Sequence, residues 1–337
     1  MSGKHILIIG TGSAGQRHAR NFHSLGCRIS CMDPRADRLD ELNKEIELAG
    51  KFAILDEAFD NSDGIDGVAV TSPPVFHVEQ CLAAIERKIP VMLEKPVSPD
   101  LESAKRLQSV VNAGGTPLLL GYTYRWWPPL EKVRELLIDN SLGKLRYVNF
   151  VMSAHLADWH PWEDYRDFFM ASKKLGGGAL LDESHWLDLM LWFLGQPETV
   201  TARIEKISDL RIDTDDNVDM IISYKDDLRV TMHLDLYGRP HQKYIRFIGE
   251  GGTILWTIDP NQVAICREME EKWVIHKYDC ERNDMFLSVD QEFLDVIEGS
   301  PVKTCHIDDG VKVLEIIEAA RRSNSEGGLT KVHGRDR

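Results

Sequence analysis

Lys95, in Glu94-Lys95-Pro96, closes the apolar run Ile89-Pro90-Val91-Met92-Leu93, and a glycine-rich segment, Gly10-Thr11-Gly12-Ser13-Ala14-Gly15, lies upstream at the end of another apolar run. A strand-end ammonium can exchange or steer a proton at a substrate oxygen, and a glycine turn between strand and helix lets backbone N–H groups approach a phosphate. Each signal alone is weak; in order, each at the end of a predicted strand, they point to a bound dinucleotide with chemistry beside it. A third group follows Gly176-Gly177-Gly178, where Asp182 and His185 stand three apart. On one helix they share a face near its N-terminus, where the glycines leave room for a ligand. Oxidation of a secondary alcohol by a nicotinamide needs a hydride acceptor and a base for the hydroxyl proton, and Lys95, His185 and Asp182 are the candidates.

In the strand-turn-helix, Gly10 permits the turn, Gly12 admits a pyrophosphate to the backbone and Gly15 lets helix and strand pack closely, with Thr11, Ser13 and Ala14 completing the loop. Asp33 follows Ile29-Ser30-Cys31-Met32 at the end of the second strand, placed to accept the adenine ribose hydroxyls. Its carboxylate repels a 2′-phosphate and favours NAD; Arg35, which can stack on adenine or pair with that phosphate, keeps NADP as the alternative. The exit Thr71-Ser72-Pro73-Pro74-Val75-Phe76-His77 falls where a doubly wound sheet places its crevice, so Ser72, Pro73 and His77 join Glu94 and Lys95 as cofactor-side candidates; a proline turn with a helix-capping histidine explains the same residues.

The elements that must position these groups fall into two patterns. Strands over 5–9, 28–32, 67–70, 91–93 and 117–120 alternate with helices over 16–25, 38–48, 78–88 and 100–113, which predicts a doubly wound parallel sheet in a dinucleotide-binding domain over 1–122. From 123 to 337 the pattern is α+β: a helix over 128–140, a strand over 145–153, an irregular aromatic stretch and a long helix over 179–194. Alternating strands over 199–207, 218–224, 229–237, 243–249 and 253–258 then predict a mostly antiparallel sheet, and helices over 287–298 and 308–323 close the chain. Should the second face of that sheet also be apolar, through Met220, Ile222, Met232 and Leu234, a partner subunit covers it, giving a homodimer or homotetramer.

Composition excludes several classes. With 40 Lys and Arg against 54 Asp and Glu in 337 residues, the net charge of -14 argues against a nucleic-acid partner. The six cysteines lack the spacing of a metal site and suit a reducing compartment. Met1-Ser2-Gly3-Lys4 leads straight into a strand without a signal-peptide pattern, and no apolar run is long enough to span a bilayer, so a soluble cytoplasmic protein is expected.

The loop, Asp33, the 71–77 exit, Glu94-Lys95-Pro96, Gly121-Tyr122-Thr123-Tyr124-Arg125-Trp126 and the glycine-Asp-Ser-His segment together resemble the Gfo/Idh/MocA family of nicotinamide oxidoreductases, which act on sugars, nucleotide sugars and cyclitols. The resemblance covers essentially the whole chain and implies Lys95, Asp182 and His185 at the reaction centre. Many members place the aspartate and histidine one residue further apart, with a glycine between; this chain has Ser184 there, as a subset of the family does. The segment from Leu156 to Asp167 mixes indoles with charges around a proline, the composition of a polyol-binding loop, and puts Trp159, His160, Tyr165 and Arg166 beside Tyr124 and Arg125 as substrate candidates. Arg125 and Arg166 can hold an anionic group or form structural ion pairs. The expected function is hydride transfer between the nicotinamide and a ring carbon of a sugar, nucleotide sugar, sugar acid or cyclitol. An NAD-dependent glycosidase that oxidises transiently and eliminates, and a non-catalytic NAD and sugar sensor, are the alternatives.

Overall fold

The computed structural model describes residues 3–62, 64–159, 164–267 and 272–332. The chain divides into two compact units, Met1–Trp126 with Glu281–Val311, and Trp127–Cys280 with Lys312–Arg337. The segment Glu281–Val311, which the sequence pattern assigns to the second domain, therefore belongs to the first unit.

The first unit follows β1 (His5–Ile9), α1 (Ser13–Ser24), β2 (Arg28–Met32), α2 (Ala36–Glu45), β3 (Leu48–Phe52), α3 (Leu55–Asn61), β4 (Gly67–Val70), α4 (His77–Glu86), β5 (Val91–Glu94), α5 (Leu101–Gly114) and β6 (Leu118–Gly121). Its six strands run parallel in the order β3-β2-β1-β4-β5-β6, as the alternating pattern predicts. β1, β4 and β5 are buried along their whole length because crossover helices cover both faces, which is why they read as continuous apolar runs. The edge strand β3, LAGKF, replaces the end of the predicted 38–48 helix; half-exposed and carrying a glycine and a lysine, it lacks that apolar signature. The order reverses between β1 and β4, and their carboxyl ends open the crevice where such sheets bind ligands. α9 (Arg282–Ile297) packs on α1, with Phe22 edge-on to Phe293 at 6.1 Å.

The second unit contains α6 (Pro128–Ile138), β7 (Leu145–Ser153), α7 (Ala179–Asp182), α8 (His185–Leu194), β8 (Thr199–Glu205), β9 (Asn217–Ser223), β10 (Arg229–Asp235), β11 (Gln242–Gly249), β12 (Gly252–Ile258), β13 (Asn261–Arg267), β14 (Val274–Lys277) and β15 (Thr330–Lys331), with α10 (Ile307–Glu326) entering it at Lys312. Its nine strands run β14-β13-β12-β11-β7-β10-β9-β8-β15, antiparallel except for the parallel pair β7 and β10. One face is the core: Trp186 of α8 meets Trp256 at 6.1 Å, and Phe193 stands edge-on to Phe247 at 5.4 Å.

Met220, Ile222, Met232 and Leu234 belong to this covered face, in register pairs Met232 with Met220, Val230 with Ile222 and Leu234 with Val218, and all are at most 2% exposed. The expectation that they make a second apolar face is corrected: with side chains alternating along a strand, the other face takes Asp219, Ile221, Thr231 and His233.

Candidate functional site

In the first unit, Gly10 sits at φ +91°, a conformation that disfavours side chains, and an added Cβ would stand 2.7 Å from the Ser72 backbone. At Gly15 a Cβ would lie 1.9 Å from the Gly10 carbonyl oxygen, so this glycine seats α1 against β1. Gly12 is different: a Cβ there meets nothing nearer than Arg38 Nη1 at 3.9 Å. The backbone at Gly12 thus borders open space at the start of α1, a helix with no side-chain cap and no acidic residue in its first turn. Such N–H groups favour an anion, and Gly12 leaves the ground that a pyrophosphate needs.

Asp33 is buried at the end of β2, where Oδ2 accepts from Thr11 N at 2.6 Å and Thr11 Oγ1 at 3.0 Å while Oδ1 accepts from Arg35 N at 2.9 Å. Those bonds fix the carboxylate against the loop and fill three of its roughly four acceptor positions, leaving capacity for a ribose hydroxyl. Ser13 is exposed and Ala14 half-buried in the first turn of α1. Arg35 turns to its neighbour Asp37, to which Nε donates at 3.1 Å. The cationic group beside the glycine loop is Arg38, which the sequence reading passed over; its guanidinium has no hydrogen-bond or ion-pair partner among the described residues, and only the fold brings it to Gly12. Open ground at Gly12, an uncapped helix start and a fixed Asp33 fit NAD.

The exits of β4 and β5 complete this edge. Ser72 Oγ donates to Gln80 Oε1 at 2.6 Å, and Pro73 leads the chain into a short turn before α4. His77 is fully buried, its Nε2 2.7 Å from the Ser72 carbonyl oxygen and its Nδ1 2.8 Å from that of Pro96; burial holds its pKa below the usual value. This histidine ties two loops together and does not face outward as a ligand group. Lys95 is half-buried at the exit of β5, with its N–H donating to Glu94 Oε2 at 3.1 Å. Tyr124 and Arg125 are buried in a turn after β6, and Arg125 Nη1 donates to the Thr304 carbonyl at 2.9 Å and to Asp309 Oδ2 at 3.2 Å. Arg125 thus has the structural ion pair that the sequence left open.

In the second unit the triple glycine serves the protein itself. A Cβ at Gly177 would lie 2.4 Å from the carbonyl oxygens of Phe169 and Met170; at Gly178, φ +111°, it would lie 2.3 Å from Asp215 Oδ1. Asp215 caps α7, its Oδ2 accepting from Leu180 N at 2.8 Å and its carbonyl from Ala179 N at 3.0 Å, and burial pushes its carboxyl pKa up. The expected room for a ligand at Gly177 and Gly178 is therefore filled by protein atoms.

The predicted 179–194 helix is also broken. α7 ends at Asp182 and α8 begins at His185, because Ser184 N turns back to Leu181 O and Trp186 N to Glu183 O, tighter turns than an α-helix makes. Glu183 Oε2 locks the break by accepting from Trp186 Nε1 at 3.1 Å. Asp182 and His185 flank this corner, Asp182 6% exposed and His185 half-buried.

Among its described residues the candidate binding loop forms short turns at Leu156–Asp158, Tyr165–Asp167, Phe169–Ala171 and Lys173–Leu175. Trp159 is half-buried after the first of them, and Tyr165 Oη accepts from Arg211 N at 3.2 Å. Arg166 pairs with Asp164 two residues away, Nε donating at 2.9 Å. His160 lies outside the described residues. Among the described residues no group of three or more His, Cys, Asp or Glu could hold a metal, and no helix is long and apolar enough to cross a membrane.

Comparison with known proteins agrees with this architecture. Residues 4–122 match the model of an oxidoreductase family's NAD-binding Rossmann fold, and residues 130–255 match that of the GFO/IDH/MocA C-terminal domain. Glucose-6-phosphate 3-dehydrogenase of Bacillus subtilis is 24% identical over 65% of this chain and 61% of its own length. Inositol 2-dehydrogenase 4 of Saccharopolyspora erythraea is 30% identical over 41% of this chain and 42% of its own. The chain thus spans only about two fifths to three fifths of these curated relatives. A levoglucosan dehydrogenase solved with NADH and levoglucosan has the same fold, with a TM-score of 0.86 at 15% identity over 98% of this chain and 100% of that one. With its first unit matching the family's NAD-binding fold and its second the family's C-terminal domain, the chain belongs to the Gfo/Idh/MocA family of oxidoreductases.

Proposed function

We propose that this protein is an NAD-dependent dehydrogenase that transfers a hydride between the nicotinamide and a ring carbon of a sugar, nucleotide sugar, sugar acid or cyclitol. The observation that carries the reading is the position of Lys95 at the carboxyl edge of the parallel sheet, immediately after β5, two strands from the β1 exit that bears the open glycine loop. Bound at that loop, NAD supplies the hydride acceptor.

The residues of the chain divide the remaining work. Gly12 and the start of α1 hold the pyrophosphate, Asp33 accepts from the ribose, and Arg38 adds a positive charge beside the loop. His185 accepts the hydroxyl proton as the carbonyl forms, Asp182 orients it from across the helix corner, and the Lys95 ammonium assists by stabilising the oxygen as it loses that proton. Trp159 and Tyr165 of the second unit offer aromatic surface to the C–H face of a ring. Relatives named as dehydrogenases of glucose 6-phosphate and of inositol support a polyol substrate.

Assembly into a homodimer or homotetramer in the cytoplasm belongs to the same proposal. Across β9 and β10 the sheet face opposite the core is polar apart from Ile221, 56% exposed, so it gives the assembly no apolar seam there, and light scattering measures the assembly.

Purified protein incubated with NAD and a panel of polyols, sugar acids and nucleotide sugars tests the function. NADH accumulation with at least one polyol is expected. Cleavage of a glycoside without net NADH would replace this reading with the glycosidase, and saturable sugar binding without any turnover would replace it with the sensor.

A further inference from the structure

The peptide that carries Lys95 is held on both sides by buried histidines. Glu94 accepts the Lys95 N–H through Oε2 at 3.1 Å and faces His18 Nε2 through Oε1 at 3.0 Å. His18, on α1, is fully buried, and its Nδ1 lies 2.6 Å from Asp290 Oδ1 on α9. Asp290 Oδ2 accepts in turn from Asn21 at 2.9 Å, and Asn21 Oδ1 accepts from Asn283 at 3.0 Å. On the far side of the lysine, the Pro96 carbonyl faces His77 Nδ1 at 2.8 Å.

Both nitrogens of His18 face carboxylate oxygens, at 2.6 Å and 3.0 Å, and with both carboxylates ionised both nitrogens donate and the ring is an imidazolium; burial pushes the Asp290 carboxyl up, while the charge and hydrogen bond of His18 pull it back down. The surroundings of His18 agree: burial alone would lower its pKa, but Asp290 and then Glu94 outweigh burial and raise it to about 10. Glu94 responds in kind. Burial pushes its carboxyl up, while the hydrogen bond and charge of His18, followed by the Lys95 charge, hold it below the usual value. A chain that needed only to fasten α9 to α1 had apolar means at hand in Phe22 and Phe293. The use of a buried charge that ends on Glu94 asks for another reason, since such groups cost solvation unless fully paired.

We propose that His18 is a positioning residue for Lys95, acting through Glu94 to fix the lysine's peptide and the balance of charge beside its ammonium. The role rests on the reading above, in which Lys95 takes part in proton handling. It links the glycine-loop helix to the reacting lysine, so that one imidazolium serves the cofactor's helix and the chemistry.

The test compares His18→Gln with Asp290→Asn and with Phe22→Leu, a change at the same helix contact that leaves the charges in place. An amine-acylating reagent is applied to each without substrate, and mass spectrometry follows the rate at Lys95. NADH affinity, melting temperature, and kcat and KM on the polyol found by the panel are measured alongside. With the imidazolium gone, Glu94 holds the lysine's proton more firmly, so His18→Gln should slow acylation at fixed pH about threefold or more. It should also lower kcat about ten- to a hundredfold with KM and NADH affinity nearly unchanged. Asp290→Asn, which loosens the imidazolium, should change both rates in the same direction by less, and it carries the test should His18→Gln not fold. Phe22→Leu should lower the melting temperature and leave acylation alone. Unchanged acylation and kcat in His18→Gln and Asp290→Asn, with only the melting temperature lowered, would reduce the network to a structural tie. Normal turnover in Lys95→Ala would instead sink the functional reading itself, an outcome distinct from any acylation result.

Discussion

The two glycine-rich segments put the same residue to opposite uses. In the first unit Gly12 borders open space at an uncapped helix start, whereas in the second unit Gly177 and Gly178 admit the backbone of 169–170 and the carboxylate of Asp215. One glycine keeps protein atoms away so that a ligand can approach; the others let protein atoms in so that a corner can form. A run of glycines marks a place where a side chain does not fit, and only the surrounding fold says whether ligand or protein takes the room.

Paired substitutions break or sharpen that contrast. Gly12→Val places atoms on open ground, so NADH affinity should fall about 10- to 100-fold, roughly 1.4 to 2.7 kcal/mol, with the melting temperature nearly unchanged. Gly178→Ala should do the reverse. Its positive φ and the contact with Asp215 should destabilise the second unit by about 1 to 3 kcal/mol or more, read in denaturant unfolding, with NADH affinity preserved. Equal effects of the two changes on cofactor affinity would erase the distinction.

A smaller effect is expected at Asp33, whose carboxylate is fixed by Thr11 and by the Arg35 N–H. Asp33→Ala should weaken NADH about tenfold and NADPH by less, so that the preference for NADH shrinks in titrations of both. Tighter NADPH binding by the unmodified protein would move Arg35 and Arg38 to the centre of cofactor choice.

The units also differ in what their sequences disclose. Strands buried on both faces, such as β1 and β4, announce themselves as apolar runs, and the glycine loop, Asp33 and Glu94-Lys95-Pro96 are local strings at strand ends, so the cofactor half was legible. The half-exposed edge strand β3 had no such pattern. The break between Asp182 and His185 escaped because helical periodicity continues across it, while the turn is held by the backbone and indole N–H groups of Trp186 donating to Glu183. The return of α9 to the first unit and the pairing of His18 with Asp290 join residues 272 positions apart, and Arg38 reaches Gly12 only through the fold. Distances of that kind are set by tertiary packing and leave no local trace.

Stability should also slope with pH. The folded pKa of His18, about 10, stands above its ordinary 6.5, so its contribution to stability is complete below about 6.5 and is lost as pH rises through about 10. His233, raised to about 9 by its hydrogen bond to Asp235 and by Asp219 against burial, adds a loss of the same sign in the second unit. Unfolding midpoints in urea should therefore fall from about pH 7 to about pH 10, and His18→Gln should flatten the part that belongs to the first unit.

Hydride transfer itself is tested most directly with the polyol found by the panel, deuterated at the carbon to be oxidised. Mass spectrometry of the cofactor after reaction reads the transfer. The account predicts one deuterium on the nicotinamide ring for each polyol oxidised, a slower rate than with the unlabelled polyol, and both lost in His185→Ala while NADH affinity is kept. Product formed with no deuterium on the cofactor, or undiminished transfer in His185→Ala, would contradict it.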